Sequence, residues 1–391
     1  GETAYLTLDG GNVQMVAAVK LAFNDNVRAT FGNSSDLEIY HDSSNSYIVD
    51  GGTGSLKILT SQLAVSNAAG TEALLNATQD GAVNLYYNGI GPKLATSTTG
   101  ISVTGTINGI PFYSDAANNS MYTHDVSGTD DTAIQNTAYG FAAMDAITTG
   151  DNNTAIGYLS GSALNTGVQN TLIGSLAGDA LTTGSFNVAV GTNALSAEDG
   201  HGRNVAVGYN TLNAQNAGAD AYNVAVGSNA GQLVSTGVEN ILIGGNAGDA
   251  LTSGAYNIAI GRNALGAEDT HGRNVAIGHS ALAAQDAGAD AYNTAVGFWA
   301  GLAITTGVQN VILGGLAGDA LTTGSNNVAI GFGALSAEDG HGRNIAVGQG
   351  TLQNQNAGAD AYNVAIGYEA GNDITTGITN TLIGGLAGDA L

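Results

Sequence analysis

A five-residue word, Asn-x-[Ala/Leu/Ile]-[Ile/Val/Leu/Tyr]-Gly, recurs fifteen times between Asn136 and the end of the 391-residue chain. Successive words start 17 residues apart, except for steps of 19 after Asn204, Asn274 and Asn344. The words therefore form blocks of four with a 70-residue period. The four unit types are NVAVGSNAGQLVSTGVE from Asn223, NILIGGNAGDALTSGAY from Asn240, NIAIGRNALGAEDTHGR from Asn257 and NVAIGHSALAAQDAGADAY from Asn274.

A 17-residue unit is too short for a domain, and too short for a two-helix repeat of about 33 residues or more. It suits one coil of a parallel β-solenoid. The second and fourth positions of the word (Val, Ile, Thr; then Ile, Val, Leu) point to one side of a strand, and the third (Ala, Leu, Ile) to the other. Both faces are apolar. One fills the coil. The other, on this reading the third-position Ala and Leu, needs covering by neighbouring chains, most simply in a parallel homotrimer. The expected fold is all-β: a β-roll of 17–19-residue turns in a homotrimeric fibre.

The recurrent polar residues have structural reasons within such a coil. Asn153, Asn170, Asn187, Asn204, Asn223, Asn240, Asn257 and Asn274 would stack about 4.8 Å apart as an amide ladder. Gly157, Gly174, Gly191 and Gly208 would permit positive φ or close backbone approach at a corner. Thr-Thr-Gly at 182–184 and 322–324 would make the opposite turn.

Composition narrows the function. The chain has no Cys, which excludes disulfide frameworks, thiolate metal sites and cysteine nucleophiles. Eight Lys+Arg against 32 Asp+Glu give a net charge of −24, unsuited to nucleic acid. No apolar run reaches the ~18 residues of a membrane span; the best, Val13 to Phe23, is interrupted by Gln14 and Lys20. Acidic residues are spaced in the repeat. Asp179, Asp249, Asp319 and Asp389 recur once per block, as do the Glu-Asp pairs at 198–199, 268–269 and 338–339. Equivalents are thus about 19 Å apart along a stacked array, beyond a Debye length in salt water.

Three regions follow. Residues 1–112 lack the repeat and alternate in short stretches, such as Tyr5-Leu-Thr-Leu, Leu37-Glu-Ile-Tyr, Tyr47-Ile-Val, Leu56-Lys-Ile-Leu, Val83-Asn-Leu-Tyr and Ile101-Ser-Val-Thr. They read as a β-rich N-terminal fibre region. Residues 113–135 read as a neck or linker, and 136–391 as the roll. The last word runs only to Leu391 where its relatives continue Thr-[Thr/Ser]-Gly, so a longer native chain is expected.

The units NTAIGYLSGSALNTGVQ from Asn153 and NVAIGFGALSAEDGHGR from Asn327 resemble the Asn-x-Ala-[Ile/Val]-Gly-x-x-Ala-Leu repeats of phage tail-fibre proteins. They are also similar to the shorter head repeats of trimeric autotransporter adhesins. FGNSSDLEIYHDSSNSYIVDGGTGSLKI (31–58) and AVNLYYNGIGPKLATSTTGISVTGTI (82–107) resemble fibre segments of phages of marine bacteria. The resemblance implies a virion or extracellular location, a homotrimer, and a host cell-surface glycan or protein and other virion tail components as partners. It implies neither nucleic-acid binding nor membrane insertion. A bacterial surface adhesin is the alternative.

No catalytic constellation stands out, and the expectation is a protein that is not an enzyme. A fibre-borne polysaccharide hydrolase would need paired carboxylates about 5–9 Å apart in a groove. The most chemical feature is the loop Glu-Asp-x-His-Gly-Arg: Glu198, Asp199, His201 and Arg203, then Asp269, His271 and Arg273, then Asp339, His341 and Arg343. Its bland reading is a solvated corner with weak ion pairs; its functional reading is a receptor contact. One His per coil offers few metal ligands. No cofactor is expected, with calcium at clustered acids the nearest alternative, and Asp269 and Asp286 fall in one column on adjacent coils. Phe298 and Trp299 replace polar residues at a variable position. They would suit glycan stacking or local packing.

Overall fold

The computed structural model describes residues 22–88, 91–98, 100–104, 106–107, 110–111, 113–115, 120–123 and 132–389. The strand expected at Tyr5, the apolar stretch to Lys20, and Leu391 fall outside them. Among the described residues the protein is all-β, with no helix. The chain divides into two compact units, Gly1–Thr104 and Gly105–Leu391.

The first unit contains two antiparallel meanders. One is β1 (Ala29–Phe31), β2 (Leu37–His41) and β3 (Ser46–Asp50). The Asp42 carboxylate turns the β2–β3 hairpin by accepting the Ser44 and Asn45 N–H groups at 3.0 and 2.7 Å. The other is β4 (Gln62–Ser66), β5 (Ala73–Thr78), β6 (Val83–Tyr86), β7 (Pro92–Ser97) and β8 (Gly100–Val103). The expected strands at Leu37, Tyr47, Val83 and Ile101 are thus β2, β3, β6 and β8. The stretch from Leu56 to Leu59 is not a strand, and Leu59 is 92% exposed. Alternation alone does not make a strand without a neighbour to take its backbone hydrogen bonds.

In the second unit, β9 (Thr106–Ile107) and β10 (Ile110–Pro111) pair as a hairpin, as do β11 (Tyr113–Asp115) and β12 (Ser120–Tyr122). Part of the stretch expected as a neck therefore forms strands, and β12 pairs parallel with the first strand of the solenoid.

The solenoid is a single parallel sheet wound from about fifteen coils. Each word contributes one three-residue strand, from Thr137–Tyr139 to Thr381–Ile383, paired in register with the next. The middle residue of each strand points inward; Ala155, Leu172, Ala189 and Ala206 have no exposed surface. The flanking second and fourth positions point outward and are half-buried or exposed, such as Ile156 at 38% and Ile243 at 36%. This corrects the expected facing. The wall residue is Ala in most coils, because the corners deliver the larger side chains, and only the second unit type carries a large one there, as Leu172, Leu242 and Ile312.

Those corner residues are organised by column. In the first two unit types the eighth residue after the Asn is Gly and the eleventh is a buried aliphatic, as in Gly178 with Leu181 and Gly231 with Val234. In the third and fourth types the eighth is Leu and the eleventh is polar: Leu195 with Glu198, and Leu212 with Gln215, all fully buried. The corners of these four unit types thus deliver one large aliphatic per coil from either of two positions, and the second type adds another from its strand, as Leu242 beside Leu251. Each buried Leu contributes roughly 1.5–3 kcal/mol.

The Asn column is a ladder of mixed bonds. Asn153 Oδ1 accepts the backbone N–H of Asn170 at 2.9 Å, and Asn153 Nδ2 donates to the Gly167 carbonyl at 2.9 Å within its own coil. Direct amide-to-amide bonds are sporadic, as between Asn170 and Asn153 at 3.1 Å. The expected side-chain ladder is therefore chiefly a side-chain-to-backbone one. The Gly column is required on both counts: Gly157, Gly174, Gly191 and Gly208 have φ of +132 to +141°, and a Cβ at any of them would sit 2.2–2.6 Å from backbone of the next coil.

Candidate functional site

The residue just before each Asn forms a column of exposed corners, all at positive φ between 52 and 64°. Such a conformation costs bulky residues about 1 kcal/mol, so the coil holds them there. The Arg203 N–H, for example, donates to the Ser185 carbonyl at 3.0 Å. The column brings aromatics and arginines onto neighbouring coils. The Arg203 guanidinium lies 4.9 Å from the Phe186 ring centroid and 5.6 Å from that of Tyr222. Arg273 lies likewise between Tyr256 and Tyr292, at 5.5 and 5.6 Å, and Arg343 lies 5.4 Å from Tyr362. The five rings are 44–53% exposed.

The two extra residues of the fourth unit type supply the partner of each arginine. Asp220 Oδ2 accepts from Arg203 Nε at 2.7 Å, while its Oδ1 accepts the Gly202 N–H at 3.0 Å. Asp290 pairs with Arg273 and Gly272 in the same way, and Asp360 with Arg343 and Gly342. Sequence reasoning found the arginines but not Asp220, Asp290 and Asp360, nor the tyrosines. The signal was present: stacking the units in register places aromatics on both sides of Arg203 and Arg273 and on one side of Arg343, whose other neighbour is Asn326.

The Glu-Asp-x-His loops differ from the solvated corner expected. Glu198, Glu268 and Glu338 have no exposed surface. Each Oε1 accepts the backbone N–H of the His three residues on, at 3.1 Å, so the carboxylate closes the corner. Burial pushes all three carboxyl groups above the ordinary glutamate range, against the pull of those His N–H groups. Asp199, Asp269 and Asp339 stay beside them, and the three imidazoles are partly buried. Each Glu, Asp and His of a loop places one ligand-type atom within 4.8 Å of the other two. Acids and histidine are brought together; Arg203, Arg273 and Arg343 are turned away to the Asp220 class of partner.

Phe298 and Trp299 stack on each other with centroids 4.7 Å apart, and His279 from the preceding coil stacks on Phe298 at 5.5 Å. The pair remains 51% and 38% exposed. It packs locally and still presents ring surface.

The outward strand face is apolar along the solenoid. Its fourth-position column is Val, Ile or Leu in every coil after Tyr139, and its second-position column is Val, Ile or Thr. No charged residue interrupts either. Fifteen strands at about 4.8 Å make a stripe roughly 70 Å long and about 7 Å wide.

The chain matches no family model, no curated protein and no solved structure. Function therefore rests on the molecule itself. Among the described residues no helix is long and apolar enough to cross a membrane.

Proposed function

We propose that this chain is a structural and adhesive fibre protein that works as a homotrimer, a phage tail fibre that presents host-receptor-binding surfaces outside the cell. The observation that carries this reading is the outward stripe of Val, Ile, Leu and Thr on the solenoid, which no charged residue interrupts. A patch of roughly 500 Å² in plan is at the upper end of what a lone soluble chain leaves open, and such patches mark interfaces. A second copy of the same chain suits it, because the partner must match a straight, featureless repeat along its whole length. Three chains carry a net charge of −72, three times −24, which opposes further lateral association.

A rod of stacked coils holds its surface groups at fixed spacing, and three chains multiply each contact. The exposed Arg–aromatic rungs and the Phe298–Trp299 pair offer ring faces and charge-assisted donors suited to sugars. The preferred partners are accordingly host cell-surface glycans, with other virion tail components at the fibre's ends. A bacterial surface adhesin with the same architecture is the second reading, favoured by the same stripe. Sedimentation equilibrium tests the assembly, and a glycan array with the intact protein tests adhesion. A monomer at micromolar concentration overturns the fibre reading. Turnover of a bound glycan overturns the view that the protein is not an enzyme.

A further inference from the structure

The three Glu-Asp-x-His corners contain buried polar atoms that no protein group satisfies. Glu198 Oε2, Glu268 Oε2 and Glu338 Oε2 are buried without a hydrogen-bond partner, and so are His201 Nδ1 and His341 Nδ1. In each corner the imidazole Nδ1 lies 3.6–3.7 Å from Glu Oε1, too far for a hydrogen bond. Leaving a buried acceptor unpaired costs about 1–3 kcal/mol. A corner that repeats the fault three times at 70-residue intervals is organised around something that accepts electron pairs.

We propose that each corner is a binding site for a divalent cation of the zinc class, held by the Glu carboxylate, the Asp carboxylate and His Nδ1. The ligands are Glu198, Asp199 and His201; Glu268, Asp269 and His271; and Glu338, Asp339 and His341. Bonds of about 2.0–2.2 Å to a tetrahedral ion put ligand atoms roughly 3.3 Å apart. The Glu–His separation is already close to that, and the Asp side chain, the most exposed of the three, has the freedom to close the remainder. An imidazole with two carboxylates suits zinc-class ions. Calcium would require six to eight oxygens, and no imidazole.

In the middle corner the Thr270 hydroxyl contacts both Asp269 Oδ1 and His271 Nδ1, at 2.9 and 3.0 Å, and a bound ion would displace the second contact.

The test is zinc titration of the metal-stripped, full-length protein by calorimetry, with X-ray absorption on the loaded sample. The expected result is three ions per chain, with one imidazole per ion. The triple variant H201A/H271A/H341A should lose all three while keeping the parent's circular dichroism. If that triple variant unfolds, H271Q alone answers, because loss of one ion of three is then expected. Binding that is unchanged in a folded histidine variant, or calcium binding at the same stoichiometry and indifferent to histidine, overturns the assignment. So does an absence of binding, which would leave ordered water as the occupant of the corners.

Discussion

A methyl group added at Gly248 would lie 2.8 Å from Leu251 Cδ1, and equally close to Leu242 Cδ2. The Gly is small because the aliphatic three residues later fills the space it leaves, and its φ of +55° adds a conformational requirement. Gly248→Ala is expected to destabilise by about 2–4 kcal/mol, from overpacking and left-handed strain together. Gly218, with φ of +70° and nothing within 4 Å of an added Cβ, is the control. Its Ala variant should lose only about 1 kcal/mol. Denaturant melts of both variants measure the difference, and equal losses would show that packing is not what selects Gly248.

Asn240 links three coils: its Oδ1 accepts the Asn257 N–H, its Nδ2 donates to the Gly254 carbonyl, and its own N–H donates to Asn223 Oδ1, at 2.8–2.9 Å. Asn240→Ala strands one buried donor and one buried acceptor, and about 2–5 kcal/mol of local stability should be lost. Asn204 accepts the Asn223 N–H at 3.1 Å, but its Nδ2 has no partner. Asn204→Ala should therefore cost about half as much. Hydrogen exchange at the Asn257 and Asn223 amides reads the two effects locally.

The architecture was legible because the repeat is both short and strict. Each of the fifteen strands lies on a word, and the Gly column proved to need both positive φ and the absence of a Cβ. The inward direction was not legible from hydrophobicity, since Val205 and Val207 are more apolar in character than the Ala206 between them. It is set by volume: Leu195 and Leu212 enter from the corners, and the wall of those two coils is Ala189 and Ala206. The burial of Glu198 could have been read. Its column runs Leu164, Leu181, Glu198, Gln215, Val234, Leu251, and an acid in an aliphatic column signals a specialised interior position. What the loops bind is not encoded in spacing, because the ligand atoms meet only when the corner closes.

Asp179, Asp249 and Asp319 supply a pH signature. Burial raises each carboxyl above its ordinary value of 3.8. A raised folded value means the folded protein holds its proton more tightly than the unfolded chain. The cost is therefore absent below the ordinary value, appears as pH rises through the folded value, and is fully present at neutrality. The variant D179N/D249N/D319N should melt higher than the parent at pH 7, and the gap should close as pH falls toward 3. A gap that widened on acidification would mean that these carboxylates are stabilised, not penalised, by their surroundings.

The two faces of the sheet make opposite predictions for the same substitution. Ala259 is fully buried inside the coil, whereas Ile243 on the preceding strand points outward at 36% exposure. Ala259→Glu places an unpaired charge in the interior and should disrupt the neighbouring coils, with loss of circular dichroism, because an isolated buried carboxylate costs several kcal/mol. Ile243→Glu leaves the coil's own core untouched. In a trimer joined through the outward stripe, it sets three carboxylates against an apolar seam, so the protein should stay folded and sediment as a smaller species. Adding Val226→Glu on the strand before extends the charge along the seam and should complete the dissociation. If the double outward variant still sediments with the parent, the stripe is not where the chains meet.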